Sequence, residues 1–131
     1  MKFLFVFLIL IVLAGGAIAQ TPHALAGNWR VYDVATDKKD STDLLLKVFF
    51  AGATYFFGKD STYRVHVQSV MNVDEQGTWW LDEANKKIIF KVGKATVAPK
   101  GTISETKISA FKTDTLFLKI DDMLLMLNRT D

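Results

Sequence analysis

Along most of the chain, apolar residues alternate with polar ones over short runs that end in tight polar turns. Side chains of a strand point to opposite faces in turn, so this period of two predicts half-buried β-strands. Eight such runs follow one another: Asn28–Ala35, Ala53–Phe57, Thr62–Val70, Gln76–Asp82, Lys87–Val92, Glu105–Phe111, Thr115–Ile120 and Met123–Asn128. Gly58-Lys59-Asp60-Ser61, Glu83–Lys86, Lys112–Asp114 and Asp121-Asp122 supply turns, and a loop holds Gly93, Pro99 and Gly101. Strands this short at spacings of about ten residues indicate a sandwich or an up-and-down barrel. One segment departs from the period. Asp40-Ser41-Thr42-Asp43 offers an N-cap at Asp40 or Ser41 ahead of Leu45, Val48 and Phe49 at i, i+3 and i+4. That pattern predicts a helix over 41–50 laid across a barrel end, the alternative being a buried strand over Val48-Phe49-Phe50.

Alternation also sorts the faces. Trp29, Val31, Tyr63, Val65, Val67, Trp79, Leu81, Ile88, Phe90, Val92, Leu116, Leu118 and Ile120 read as inward. Arg64, His66, Gln68, Lys87 and Lys91 read as an outer wall, which makes His66 a surface histidine. Trp80, Tyr32, Ile89 and Phe117 fall on the outer face although they are apolar, and the strand from Met123 to Leu127 is apolar on both faces. A contiguous outer patch around Trp80 and Phe117 would suit a protein partner or a homodimer.

The first nineteen residues follow another rule. Lys2 precedes the unbroken apolar run Phe3–Leu13, and small residues lead to Ala17-Ile18-Ala19. This is the build of a cleaved secretory signal peptide over 1–19, leaving one domain over 20–131. The run is shorter than the roughly 20 apolar residues that span a bilayer, so the mature chain is read as soluble, without stable membrane insertion, and periplasmic or secreted.

Composition then narrows the chemistry. The net charge is only +2 in 131 residues, which excludes a strongly basic nucleic-acid surface. There is no cysteine, hence no disulfide staple, thiol nucleophile or lipidated cysteine, and stability must come from the core. His23 and His66 lie far apart, so no metal site and no cofactor is expected. The acids mostly occupy turns. Asp33, which alternation puts on the face of Trp29 and Val31, is the one candidate for acid–base work at a barrel mouth in a chain otherwise read as non-enzymatic.

Two local motifs stand out, Gly27-Asn28-Trp29 at the head of the first strand and Gly77-Thr78-Trp79 near the middle. A glycine two residues before a tryptophan lets the backbone bend while the indole turns inward. With eight strands and a helical insert before the second, the chain resembles the lipocalin superfamily, specifically its short bacterial lipocalin-like proteins. The closing stretch Ser109–Leu118, with Asp114-Thr115-Leu116-Phe117-Leu118, carries the likeness to the end of the domain. The chain departs from full-length lipocalins in its brevity, its lack of cysteine and the absence of a long lid loop. The resemblance implies an all-β, antiparallel, up-and-down eight-stranded barrel with one short helix. It also implies an arginine of the last strand, here Arg129, stacked on the indole of Trp29 beside Gly27 to close the floor. Finally it implies a small apolar ligand, for which Phe49, Phe57 (or Phe56), Tyr63, Trp79 and Phe90 would line the cavity. The interior volume decides between the two binding surfaces. An empty cavity above about 300 Å³ favours a ligand in the barrel, and a filled interior favours the outer wall.

Overall fold

The computed structural model describes residues 24–37, 41–68 and 72–130; the signal peptide expected over 1–19 and the N-cap candidate Asp40 lie outside the described residues. Eight strands, β1 (Gly27–Thr36), β2 (Thr54–Phe57), β3 (Thr62–Gln68), β4 (Asn72–Asp82), β5 (Lys87–Ala95), β6 (Ile103–Lys112), β7 (Thr115–Ile120) and β8 (Met123–Arg129), pair in sequence order into a closed antiparallel barrel. A helix of ten residues, α1 (Ser41–Phe50), links β1 to β2. The ring closes where β8 returns to β1, pairing Trp29 with Arg129 and Thr36 with Met123. Closure gives every strand a hydrogen-bonded neighbour on both sides, although β2 covers only the first four residues of β1 and β6 only the first five of β5.

Three bulges interrupt the alternation, and each redirects the residues after it. In β1 the register slips between Val31 and Asp33 against β8, so Tyr32 is the extra residue. Asp33 consequently faces out and is exposed, while Val34 takes the inner position and is buried. The expectation that Asp33 shares the face of Trp29 and Val31 is therefore corrected. Gly93 is the extra residue of β5, between Val92 opposite Gly77 and Lys94 opposite Gln76. Ser109 plays that part in β6, which lets both Ile108 and Phe111 pack inward.

The inner face carries Trp29, Val31, Tyr63, Val67, Trp79, Ile88, Phe90, Val92, Leu116 and Leu118, all buried. Val65, Leu81 and Ile120 are half-buried. Each fully buried large apolar side chain contributes roughly 1.5–3 kcal/mol, which is how a domain without disulfides is held. Ile89 is also buried, although it faces outward beside Trp80, which is half exposed.

The apolar stripe of α1 that meets the barrel is Leu46, Phe49 and Phe50. Leu45 and Val48, expected on that stripe, are exposed together with Leu44. The helix ends set this rotation. At its start Asp43 accepts a hydrogen bond from the Thr36 hydroxyl at 2.9 Å. At its end the buried Ala53 donates to Phe50 O at 3.0 Å and accepts from Val31 N at 2.8 Å. These two ties swing the stripe one residue from its expected phase.

Candidate functional site

The barrel floor is built around Trp29. Gly27 has φ 128°, a backbone that L side chains rarely adopt, and this is why glycine stands two residues before the indole. The ring is fully buried, donates from Nε1 to Leu25 O at 2.8 Å, and meets Phe111 edge-on with centroids 6.1 Å apart. The Arg129 guanidinium lies over it, 4.3 Å from the ring centroid. The same guanidinium donates to the carbonyls of Thr113 at 3.0 Å, Ala26 at 2.7 Å, and Ala24. One side chain thereby joins the start of the described chain, the β6–β7 turn and the last strand.

Above the floor, four of the five rings expected to line a cavity touch one another. Phe57 lies 5.1 Å from Trp79 and 6.1 Å from Phe90, and Tyr63 lies 4.7 Å from Phe90, centroid to centroid. Tyr55 extends the cluster, 6.3 Å from Phe57. The Trp79 indole donates to Gly58 O at 3.1 Å, which locks it onto the β2–β3 turn. All of these rings are buried, and their separations are those of packed aromatics. Phe49 stands apart in the fold, on α1 at the end of the barrel where β1 finishes and β2 starts, with its ring 5.0 Å from that of Phe50. Phe56 faces out and is partly exposed.

One inward polar residue was not anticipated. The inner face of β4 runs Val73, Glu75, Gly77, Trp79, so the Glu75 carboxylate faces the interior and accepts a 2.8 Å hydrogen bond from the Tyr63 hydroxyl. Burial pushes the Tyr55 hydroxyl well above the usual tyrosine range, and the charge of Glu75 adds to it. Tyr63 is raised by burial first, then by its bond to Glu75 and that carboxylate's charge. Extending the alternation one residue upstream of Gln76 would have found Glu75.

The concave surfaces lie on the outside of the wall. A cavity of about 720 Å³ opens over β1–β5, lined by the exposed Asn28, Thr54, Phe56, Thr62, Arg64, Gln76 and Lys94, with Gly77 and Gly93 and parts of Tyr55 and Tyr63. A second, of about 450 Å³, continues it past Asp74, Glu75, Ala95 and Thr96 and shares Arg64, Gln76 and Lys94. Strand register explains the arrangement. Asn28, Phe56, Arg64, Gln76 and Lys94 are successive cross-strand neighbours, one from each of five strands. His66 lies on the same wall, exposed enough to reach solvent, with Nδ1 2.6 Å from Asp74 Oδ1.

The expected outer patch is divided. Trp80 neighbours Ile89 on β5, and Ile89 in turn neighbours Glu105 on β6. The Lys87–Glu105 pair at 3.1 Å occupies the wall on that side. Phe117 stands on β7 beside Ala110 and Met126, the latter opposite Asp33 and next to the exposed Tyr32. Trp80 and Phe117 therefore do not form one surface. Asp33 is held at the outside of the bulge, its Oδ1 accepting from Val34 N at 2.8 Å.

The family model described as Domain of unknown function (DUF5004) matches residues 13–123. Among solved structures, a lipocalin-like protein from Bacteroides uniformis superposes with a TM-score of 0.57 at 14% identity, over 82% of this chain and 99% of that one. An uncharacterized protein from Bacteroides eggerthii superposes with a TM-score of 0.55 at 9% identity, over 80% of this chain and 98% of that one. No curated protein sequence matches the chain. At these identities the likeness is one of fold, and the fold is lipocalin-like.

Proposed function

The chain belongs to the family described as Domain of unknown function (DUF5004), and from that premise we propose an exported, non-enzymatic binding protein. Its barrel interior serves as scaffold and its outer wall carries recognition. The observation that carries this reading is the exchange of filled and empty space. Phe57, Tyr63, Trp79 and Phe90 fill one another's surroundings inside, whereas the large concavity opens outside, over β1–β5. Fold does not itself choose between these surfaces. The leader pattern of Lys2, Phe3–Leu13 and Ala17-Ile18-Ala19 supports export. The non-enzymatic reading is supported by Asp33, whose carboxylate faces out and bonds to its own strand.

A second reading keeps a small apolar molecule inside the barrel. It is favoured by the inner face near α1, where Val65 and Val73 are only half-buried, and by the lipocalin-like fold. Amide chemical shifts of the labelled protein, followed through a screen of small polar and apolar compounds, separate the two. The outer-wall reading expects saturable shifts at Arg64, Gln76 and Lys94. Saturable shifts confined to Val65, Val73 and Trp79, with quenching of tryptophan emission by apolar compounds, would replace it with the second.

A further inference from the structure

Resting on the outer-wall reading, we infer that the groove over β2–β5 binds a small organic carboxylate, its anionic group held between Arg64 and Lys94 and its body lying against Phe56. Arg64, Gln76 and Lys94 are cross-strand neighbours, so their backbones succeed one another at about 4.8 Å and two long cationic side chains flank one amide. Neither cation is neutralised. The ion pairs among the described residues are Lys47–Asp43, His66–Asp74 and Lys87–Glu105, and none uses Arg64 or Lys94. Two acids, Asp74 and Glu75, line the adjoining cavity; the Asp74 carboxylate is engaged by His66 at 2.6 Å and the Glu75 carboxylate accepts from the Tyr63 hydroxyl at 2.8 Å.

Gln76 completes the donor set. Its Oε1 accepts from Arg64 at 3.4 Å. A guanidinium, a carboxamide and an ammonium thus stand at neighbouring positions on three adjacent strands. A carboxylate matches the planar fork of arginine with two parallel bonds, and two positive charges in one concavity raise the local concentration of an anion. The groove is open at its centre because Gly93, the bulged residue, projects nothing into it. Phe56, partly exposed on β2 and the cross-strand neighbour of Arg64, offers an apolar face for the organic body. The cavity, at about 720 Å³, has the size of a small-molecule site.

The test uses the full chain produced with its leader, 15N-labelled, and titrated with benzoate, its neutral isostere benzamide, and inorganic phosphate at low and at physiological ionic strength. Benzoate is expected to shift the amides of Arg64, Gln76 and Lys94 saturably and to weaken as salt rises. Benzamide should bind at least about tenfold more weakly. Arg64→Gln and Lys94→Gln should each lower benzoate affinity about tenfold. Equal affinity for benzamide and benzoate, or unchanged affinity in both charge variants, overturns the inference. Phosphate binding as tightly as benzoate overturns the organic part of the assignment. If neutral compounds move the groove amides and benzoate does not, the carboxylate falls and the outer-wall reading stands. If no compound moves them, both fall.

Discussion

Arg129 concentrates more structure in one side chain than any other described residue. Its stack on Trp29 is worth about 0.5–2 kcal/mol, and each of its hydrogen bonds to carbonyls adds about 0.5–1.5 kcal/mol. Arg129→Ala should lower stability by about 2 kcal/mol and the melting temperature by roughly 10 °C, read by circular dichroism. Arg129→Lys should recover less than half of that loss, since an ammonium cannot reproduce the fork that reaches Ala24, Ala26 and Thr113 together. Full recovery by lysine would mean that charge alone matters. A second prediction concerns Tyr55. Its folded-state hydroxyl is held protonated above the ordinary value of 10.0, so above about pH 10 the unfolded chain has lost a proton that the folded chain keeps. The unfolded state then binds fewer protons, and stability falls as pH rises. Comparing urea midpoints at pH 8 and pH 11, Tyr55→Phe should lose less than the unaltered protein; an equal loss would remove Tyr55 from the account. The pairing of Trp29 with Arg129 was legible in the sequence through its likeness to a barrel family. Glu75 was not, because the strand was started at Gln76, one residue too late to include it.

At the scale of elements, bulges decide most of what alternation misses. A period of two assigns every side chain correctly until one residue is inserted, and then inverts the rest of the strand. That is how Asp33 left the interior and Val34 entered it. Nothing in NWRVYDVA marks Tyr32 as the extra residue, because the slip is set by pairing with β8, nearly a hundred positions away. The helix shows the same limit. Its existence and bounds follow from composition, but its rotation is set by Thr36 and Ala53, which lie outside it. The two glycines at the β4–β5 bulge make opposite predictions. A Cβ at Gly77 would sit 2.0 Å from Lys91 O and 2.7 Å from Gly93 N, both backbone atoms that cannot yield cheaply. Gly77→Ala should therefore cost about 2 kcal/mol or more. Gly93→Ala should stay within about 0.5 kcal/mol of the unaltered protein. Thermal melts of the pair check this, and comparable losses in both would contradict the close approach at Gly77.

At the scale of the molecule, the strands and a buried aromatic core could be read from eight short periodic runs, which left a sandwich or a barrel open. The choice of a closed up-and-down barrel came from the likeness to the lipocalin superfamily. The position of the concave surface could not be read, because it arises where five cross-strand neighbours and one bulged glycine coincide. The reading of the leader makes a whole-chain prediction. Expressed with its native start in a bacterium, the exported protein should have an intact mass equal to residues 20–131; retention of Met1–Ala19 would count against export.

The seam between β1 and β8 fixes when this molecule can exist during its own synthesis. Its first strand waits for its last as a partner, and Ala24 and Ala26 wait for Arg129, which comes 105 and 103 residues later. Until β8 is free to pair, β1 and β7 each hold out an unsatisfied edge, the state most exposed to association between chains. A chain stopped before Met123 would carry seven strands and no way to close them.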